Sequence, residues 1–157
     1  MPILSTDQIV TLAANAGFSG PDLATATAVA LAESSGDPVA YNPEGSYGLW
    51  QIYLKMHPEF SVTQVLDPQG NAQAAYQIYL QAGSSFRPWS TYNSGRYMGF
   101  MGAVTSTIAA MTPPTTPDQT PGGGDSGGGT VPASTILPVM LLGAVGLLLL
   151  AGIGGGK

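Results

Sequence analysis

Residues 21–35 read P-D-L-A-T-A-T-A-V-A-L-A-E-S-S, and the fold class follows from them. Pro21 suits the first helical position, where its missing N–H costs nothing, and Asp22 suits the positive end of the helix dipole. Gly36 stands just past the end, where a left-handed residue stops a helix. Between these signals Leu23, Ala24, Ala26, Ala28, Val29, Ala30, Leu31 and Ala32 cover almost the whole circumference. A helix that is apolar all round is a buried one. The stretch therefore predicts a central helix with other helices packed about it. Glu33 is the one ionisable side chain near its end.

The flanking sequence repeats this grammar. Residues 5–17 predict a helix capped by Ser5 or Thr6, with Ile9, Val10, Leu12, Ala13 and Ala16 on one face before Gly17. Residues 68–82 predict another, with Asp67 as cap, Pro68 at its start and Gly83 beyond its end. Leu49 to His57 is expected as a short helix. From Arg96 to Met111 the residues Tyr97, Phe100, Met101, Val104 and Ile108 recur at helical spacing and predict core packing. No stretch shows sustained period-two alternation, so strands are expected to be minor. The expected fold is mainly α, a small helical domain over residues 1–111.

Residues 112–135 differ in character. Eleven of these 24 residues are Gly or Pro, and the rest are mostly Thr, Ser and Asp, so no core can form there. They read as a flexible linker spanning roughly 25–30 Å. Residues 136–153 then run 18 positions without a charge, long enough for a transmembrane helix. Lys157 is the only flanking charge. The N-terminus carries no basic residue before Lys55 and no long apolar run, so an N-terminal signal peptide is not expected.

Composition narrows the chemistry. Four Lys and Arg against nine Asp and Glu leave nothing to neutralise several phosphates, which argues against a nucleic-acid partner. Cysteine is absent, and the single histidine, His57, lies in a surface-like K-M-H-P-E stretch. A thiolate or histidine metal cluster and a Ser-His-Asp triad are thereby disfavoured, and neither metal nor cofactor is expected. Burial and the negative helix end both disfavour a carboxylate's charge, and a proton-bearing carboxyl beside a cleft is what departure of a glycosidic oxygen requires. The loop after Glu33 supplies hydrogen-bonding groups from Ser34, Ser35, Tyr41, Asn42, Ser46 and Gln51. Tyr47 and Trp50 offer flat faces on which sugar rings could stack. An ordinary helix end followed by an ordinary turn is the alternative.

E-S-S-G-D-P at 33–38, followed by Y-N-P-E-G-S-Y-G-L-W-Q-I at 41–52, resembles the catalytic signature of soluble lytic transglycosylases and their goose-type-lysozyme-like relatives. A second block, N-A-Q-A-A-Y-Q-I-Y at 71–79 and F-R-P-W-S-T-Y-N-S-G-R-Y at 86–97, matches in the expected order. The resemblance spans roughly residues 5–110. It implies a lysozyme-like domain in which Glu33 is a single acid/base. That residue would cleave the bond between N-acetylmuramic acid and N-acetylglucosamine in peptidoglycan and form a 1,6-anhydro product. It implies that Ser34, Gln51, Tyr92 and Asn93 orient the glutamate or hold the glycan, with Tyr92 as the hydrogen-bond partner of Glu33; the chemistry of the loop adds Ser46 and Trp50 to these candidates. Arg96 could contact a substrate carboxylate or form a surface salt bridge. A lysozyme-type hydrolase, with Asp37 or Glu44 activating water, and a non-catalytic glycan-binding module are the alternatives. An apolar tail with no export signal suggests a membrane-anchored protein of a phage particle, with the membrane and other virion proteins as further partners.

Overall fold

The computed structural model describes residues 1–112. It is mainly helical, as the sequence predicts, and the linker and transmembrane helix expected at 112–135 and 136–153 lie, from residue 113 on, outside the described residues. None of the described helices is long and apolar enough to cross a membrane.

Helix α1 (Thr6–Ala16) opens with the Ser5 N–H donating to Gln8 Oε1 at 3.0 Å. It ends at Gly17, whose φ of 123° and the Tyr76 ring packed against it exclude a side chain. Helix α2 (Gly20–Ser34) is the central helix anticipated from residues 21–35: Ala24, Ala26, Thr27, Ala28, Val29, Ala30 and Ala32 are all buried. Its alanines let α1 and α6 (Met98–Met111) approach closely, Val10 and Val104 meeting Ala24 and Ala28 in one cluster. The buried Thr27 hydroxyl returns a hydrogen bond to Leu23 O at 2.9 Å, so no polar group is stranded.

Three two-residue strands follow, β1 (Tyr41–Asn42), β2 (Ser46–Tyr47) and β3 (Ile52–Tyr53), paired antiparallel in that order. The register sets Asn42, Ser46 and Tyr53 across from one another, and Tyr41, Tyr47 and Ile52 likewise. Side chains alternate between faces, so these are two rows on opposite sides of the sheet. Helices α3 (Val62–Leu66), α4 (Pro68–Gln81) and the single turn α5 (Ser90–Asn93) complete the order before α6. Asp67 caps α4, its Oδ2 accepting from Gly70 N at 2.7 Å.

The short helix expected from Leu49 to His57 does not form. Gly48 and Gln51 adopt left-handed φ values of 73° and 47°, and Ile52–Tyr53 pairs with β2 instead. The Trp-Gln-Ile-Tyr composition suits a half-buried strand as well as a helix, and cross-strand pairing decides between them.

Trp50, expected as an exposed platform for sugars, is wholly buried. Its indole N–H donates to Ala26 O on α2 at 2.9 Å, and its backbone N–H donates to Asn71 Oδ1 on α4 at 2.8 Å. Its carbonyl accepts from the Trp89 indole at 2.8 Å. One side chain with its peptide groups therefore ties three segments together. Asn71, also fully buried, uses its amide group on Tyr47 O (2.9 Å) and Val65 O (2.8 Å), fastening the sheet and α3 to α4. Beside this hub Phe18, Tyr76, Tyr79, Phe86 and Trp89 form a chain of aromatic contacts.

Candidate active site

Glu33 occupies the last turn of α2, where backbone carbonyls lack helical partners. Those carbonyls are met individually. Ser34 Oγ donates to Ala30 O at 3.0 Å, Ser35 N to Leu31 O at 2.9 Å, and the Arg96 guanidinium to Ala32 O at 3.3 Å. Ser35 makes the stop with a left-handed φ of 54°. Glu33 thus projects from a helix end whose geometry is determined on both sides.

The Glu33 side chain is half-buried, and its Oε1 accepts a hydrogen bond from the Thr91 hydroxyl at 2.7 Å. Thr91 is itself buried and held on α5, so it orients the carboxyl group rather than following it. Oε2 has no protein partner among the described residues, and no sealed side-chain oxygen there goes unpaired. Oε2 therefore opens into the cleft that Glu33 lines.

That cleft has a volume of about 350 Å³ and draws on α2, the sheet, the loop after β3 and the 88–90 segment. Asn42, Glu44, Ser46, Gln51 and Tyr53 supply most of its hydrogen-bonding groups. Gln51 keeps its left-handed φ because its amide group donates to Gly48 O at 2.9 Å and Ala40 O at 3.2 Å. Such a conformation costs a non-glycine residue about 1–2 kcal/mol, and here it coincides with a residue of the cleft wall. Among the described residues no cluster of three or more Asp, Glu or His is placed to hold a metal ion.

The residues singled out from sequence divide cleanly. Glu33, Ser46 and Gln51 meet in the cleft; Ser34, Trp50, Tyr92 and Asn93 do not line it. Ser34 caps α2, its Oγ also accepting from Gly36 N at 3.2 Å. Tyr92, expected to bond Glu33, instead packs its ring between Phe86 and Tyr97, with centroids 5.7 and 5.0 Å away. Adjacent positions in a helical turn point about 100° apart, so Thr91 and Tyr92 cannot both face the carboxyl group. Asn93 steadies the 87–93 turn by donating to Arg87 O at 2.8 Å. Arg96 serves the helix end and has no carboxylate partner within 4.0 Å among the described residues. Of the two alternative carboxylates, Glu44 lines the cleft, whereas Asp37 turns its Oδ1 to Val39 N at 3.0 Å. Thr91, which orients Glu33, and His57, which lines the cleft, were missed from sequence: nothing in a threonine or a lone histidine distinguishes these roles before the fold brings the segments together.

A buried central helix, ending in a half-buried glutamate on a cleft that a small antiparallel sheet also lines, is the architecture of lysozyme-like enzymes. The family model described as a lysozyme-like domain (SLT_3) matches residues 10–91, just over half the chain, and the chain belongs to this family. At family level that makes it a peptidoglycan-acting protein of the lytic transglycosylase and lysozyme kind. No curated protein and no solved structure matches the chain.

Proposed function

We propose that the protein is a peptidoglycan lytic transglycosylase that uses Glu33 as its single acid/base. The observation that carries this reading is the Glu33 carboxyl group, clamped at Oε1 by Thr91 and open to the cleft at Oε2. Glu33 begins protonated and gives its proton to the oxygen joining N-acetylmuramic acid to N-acetylglucosamine. The C1–O bond breaks, and the leaving sugar departs with a new hydroxyl group. The resulting carboxylate then takes the proton of the muramoyl 6-hydroxyl as that oxygen bonds to C1. The 1,6-anhydro ring closes, Glu33 is again protonated, and no water is consumed. Gln51 and Ser46 hold the glycan from the cleft wall.

A lysozyme-type hydrolysis is the second reading, and the position of Glu44 in the same cleft favours it. Glu44 would then activate the water that attacks C1, as the second carboxylate of an inverting enzyme does. Mass spectrometry of fragments released from purified sacculi separates the two, since anhydro ends lack the water that reducing ends contain. Anhydro-muramoyl ends are expected, and Glu33→Gln should abolish their release while the protein stays folded. Undiminished release by that variant would remove Glu33 from the mechanism.

For its place of work we propose that residues 136–153 anchor the protein in a membrane and that 112–135 tether the enzyme domain to it. Carriage in a phage particle would bring such an enzyme to the wall from outside the cell. Detection of the chain in purified particles, with activity in a gel containing peptidoglycan, tests this; absence from particles rules it out.

A further inference from the structure

The loop after β3 reads Y-L-K-M-H-P-E from Tyr53 to Glu59. The N–H groups of Met56 and His57 both donate to Tyr53 O, at 3.1 and 3.2 Å, and this tight turn sets Tyr53 and His57 together on the cleft. Lys55, between them in sequence and exposed, has its ammonium 5.9 Å from the centroid of the Tyr53 ring. Glu59 Oε1 lies 3.3 Å from His57 Nδ1. A carboxylate can only accept, so Nδ1 carries the hydrogen and Nε2 is left for a ligand.

The charges around this loop are unevenly committed. Among the described residues no Lys or Arg nitrogen lies within 4.0 Å of a carboxylate oxygen, so the Lys55 ammonium has no carboxylate partner there. Glu33 and Glu44 line the same cleft, and an anionic part of a substrate is repelled from them. Lys55 then offers such a part a cation beside a ring that lines the cleft.

We propose that Tyr53, Lys55 and His57 form a subsite for the acidic peptide substituent of a muramoyl unit, and so select peptide-bearing glycan over neutral glycan. The inference rests on the peptidoglycan reading above. The lactyl-linked peptide is what distinguishes a muramoyl unit from its N-acetylglucosamine neighbour. Its carboxylates suit Lys55, its amide and hydroxyl groups suit His57 Nε2, and the Tyr53 ring supports both.

The test uses the full chain carrying Glu33→Gln, so that ligands bind without turnover. Dissociation constants are measured at low salt for glycan fragments with acidic stem peptides, for the same fragments after conversion of their carboxylates to amides, and for N-acetylglucosamine oligomers. Because Lys55 is exposed and screened, a preference of about threefold to fivefold for the acidic form is expected. Adding Lys55→Gln should erase that preference, and adding His57→Gln should weaken both peptide-bearing forms alike. Binding of N-acetylglucosamine oligomers should stay within about twofold when Lys55→Gln, which lies outside the cleft wall, is added. A preference that survives Lys55→Gln, or its absence in a parent that binds all three ligands, overturns the subsite. Failure to bind any of them, with no fragments released from sacculi by the native chain, would instead overturn the peptidoglycan reading together with it.

Discussion

Thr91 shows what a single hydroxyl contributes to this site. It donates to one oxygen of Glu33 at 2.7 Å from a buried position, leaving the other oxygen to meet substrate. As Glu33 gives up its proton this bond comes to lie on a carboxylate, and a hydrogen bond to a charged group is worth about 1.5–3 kcal/mol. Thr91→Val keeps the shape and removes the donor, so kcat for fragment release should fall roughly 10-fold to 100-fold, with KM changed less than about threefold. Thr91→Ser should restore most of the rate. Equal kcat in Thr91→Val and the native protein would show that the clamp is dispensable. Glu33 was legible in sequence because a lone acid at the end of an alanine-rich helix is conspicuous. Thr91 was not, because its role depends on a contact across 58 positions. Trp50 misled for a related reason: an indole looks the same in sequence whether it meets a sugar or, as here, the carbonyl of Ala26.

The helices were readable from their caps and apolar faces, and four of them lie close to where those signals put them: α1, α2, α4 and α6. The Leu49–His57 segment was not, since two residues with left-handed φ and a pairing partner elsewhere outweigh its local helical pattern. Between the elements, Tyr79 on α4 reaches the first turn of α2, its hydroxyl donating to Asp22 Oδ2 at 2.7 Å. That hydrogen bond, with burial, raises the Tyr79 hydroxyl above its ordinary 10.0. The folded protein then keeps a proton that the unfolded chain releases first. The associated stability is complete below about pH 10 and is lost as pH climbs through the raised value. Tyr79→Phe lacks this link, so its melting temperature should lie below that of the native protein by an amount that shrinks above about pH 10. Thermal melts across that range measure it, and a constant gap would remove Asp22–Tyr79 as a titrating contact.

For the molecule entire, the question is what holds catalysis near its polymeric substrate. On the proposal that residues 136–153 anchor the protein in a membrane, the full chain should float with lipid vesicles in a density gradient, whereas a chain ending at Thr112 should remain in the soluble fraction. The shorter chain should cleave small soluble glycan fragments at a rate within about twofold of the full one. Its rate on intact sacculi presented with membrane should drop, because a tether raises local concentration without touching the chemistry. Flotation of both chains would place the lipid contact elsewhere. The two rows of the little sheet carry a different consequence. Asn42, Ser46 and Tyr53 all line the cleft, whereas of the other row only Ile52 reaches it, and Ile52 is at the same time buried in the core. Natural selection, or an engineer, can therefore rewrite the first row to accept a new wall polymer while Ile52 stays fixed in the core beneath it.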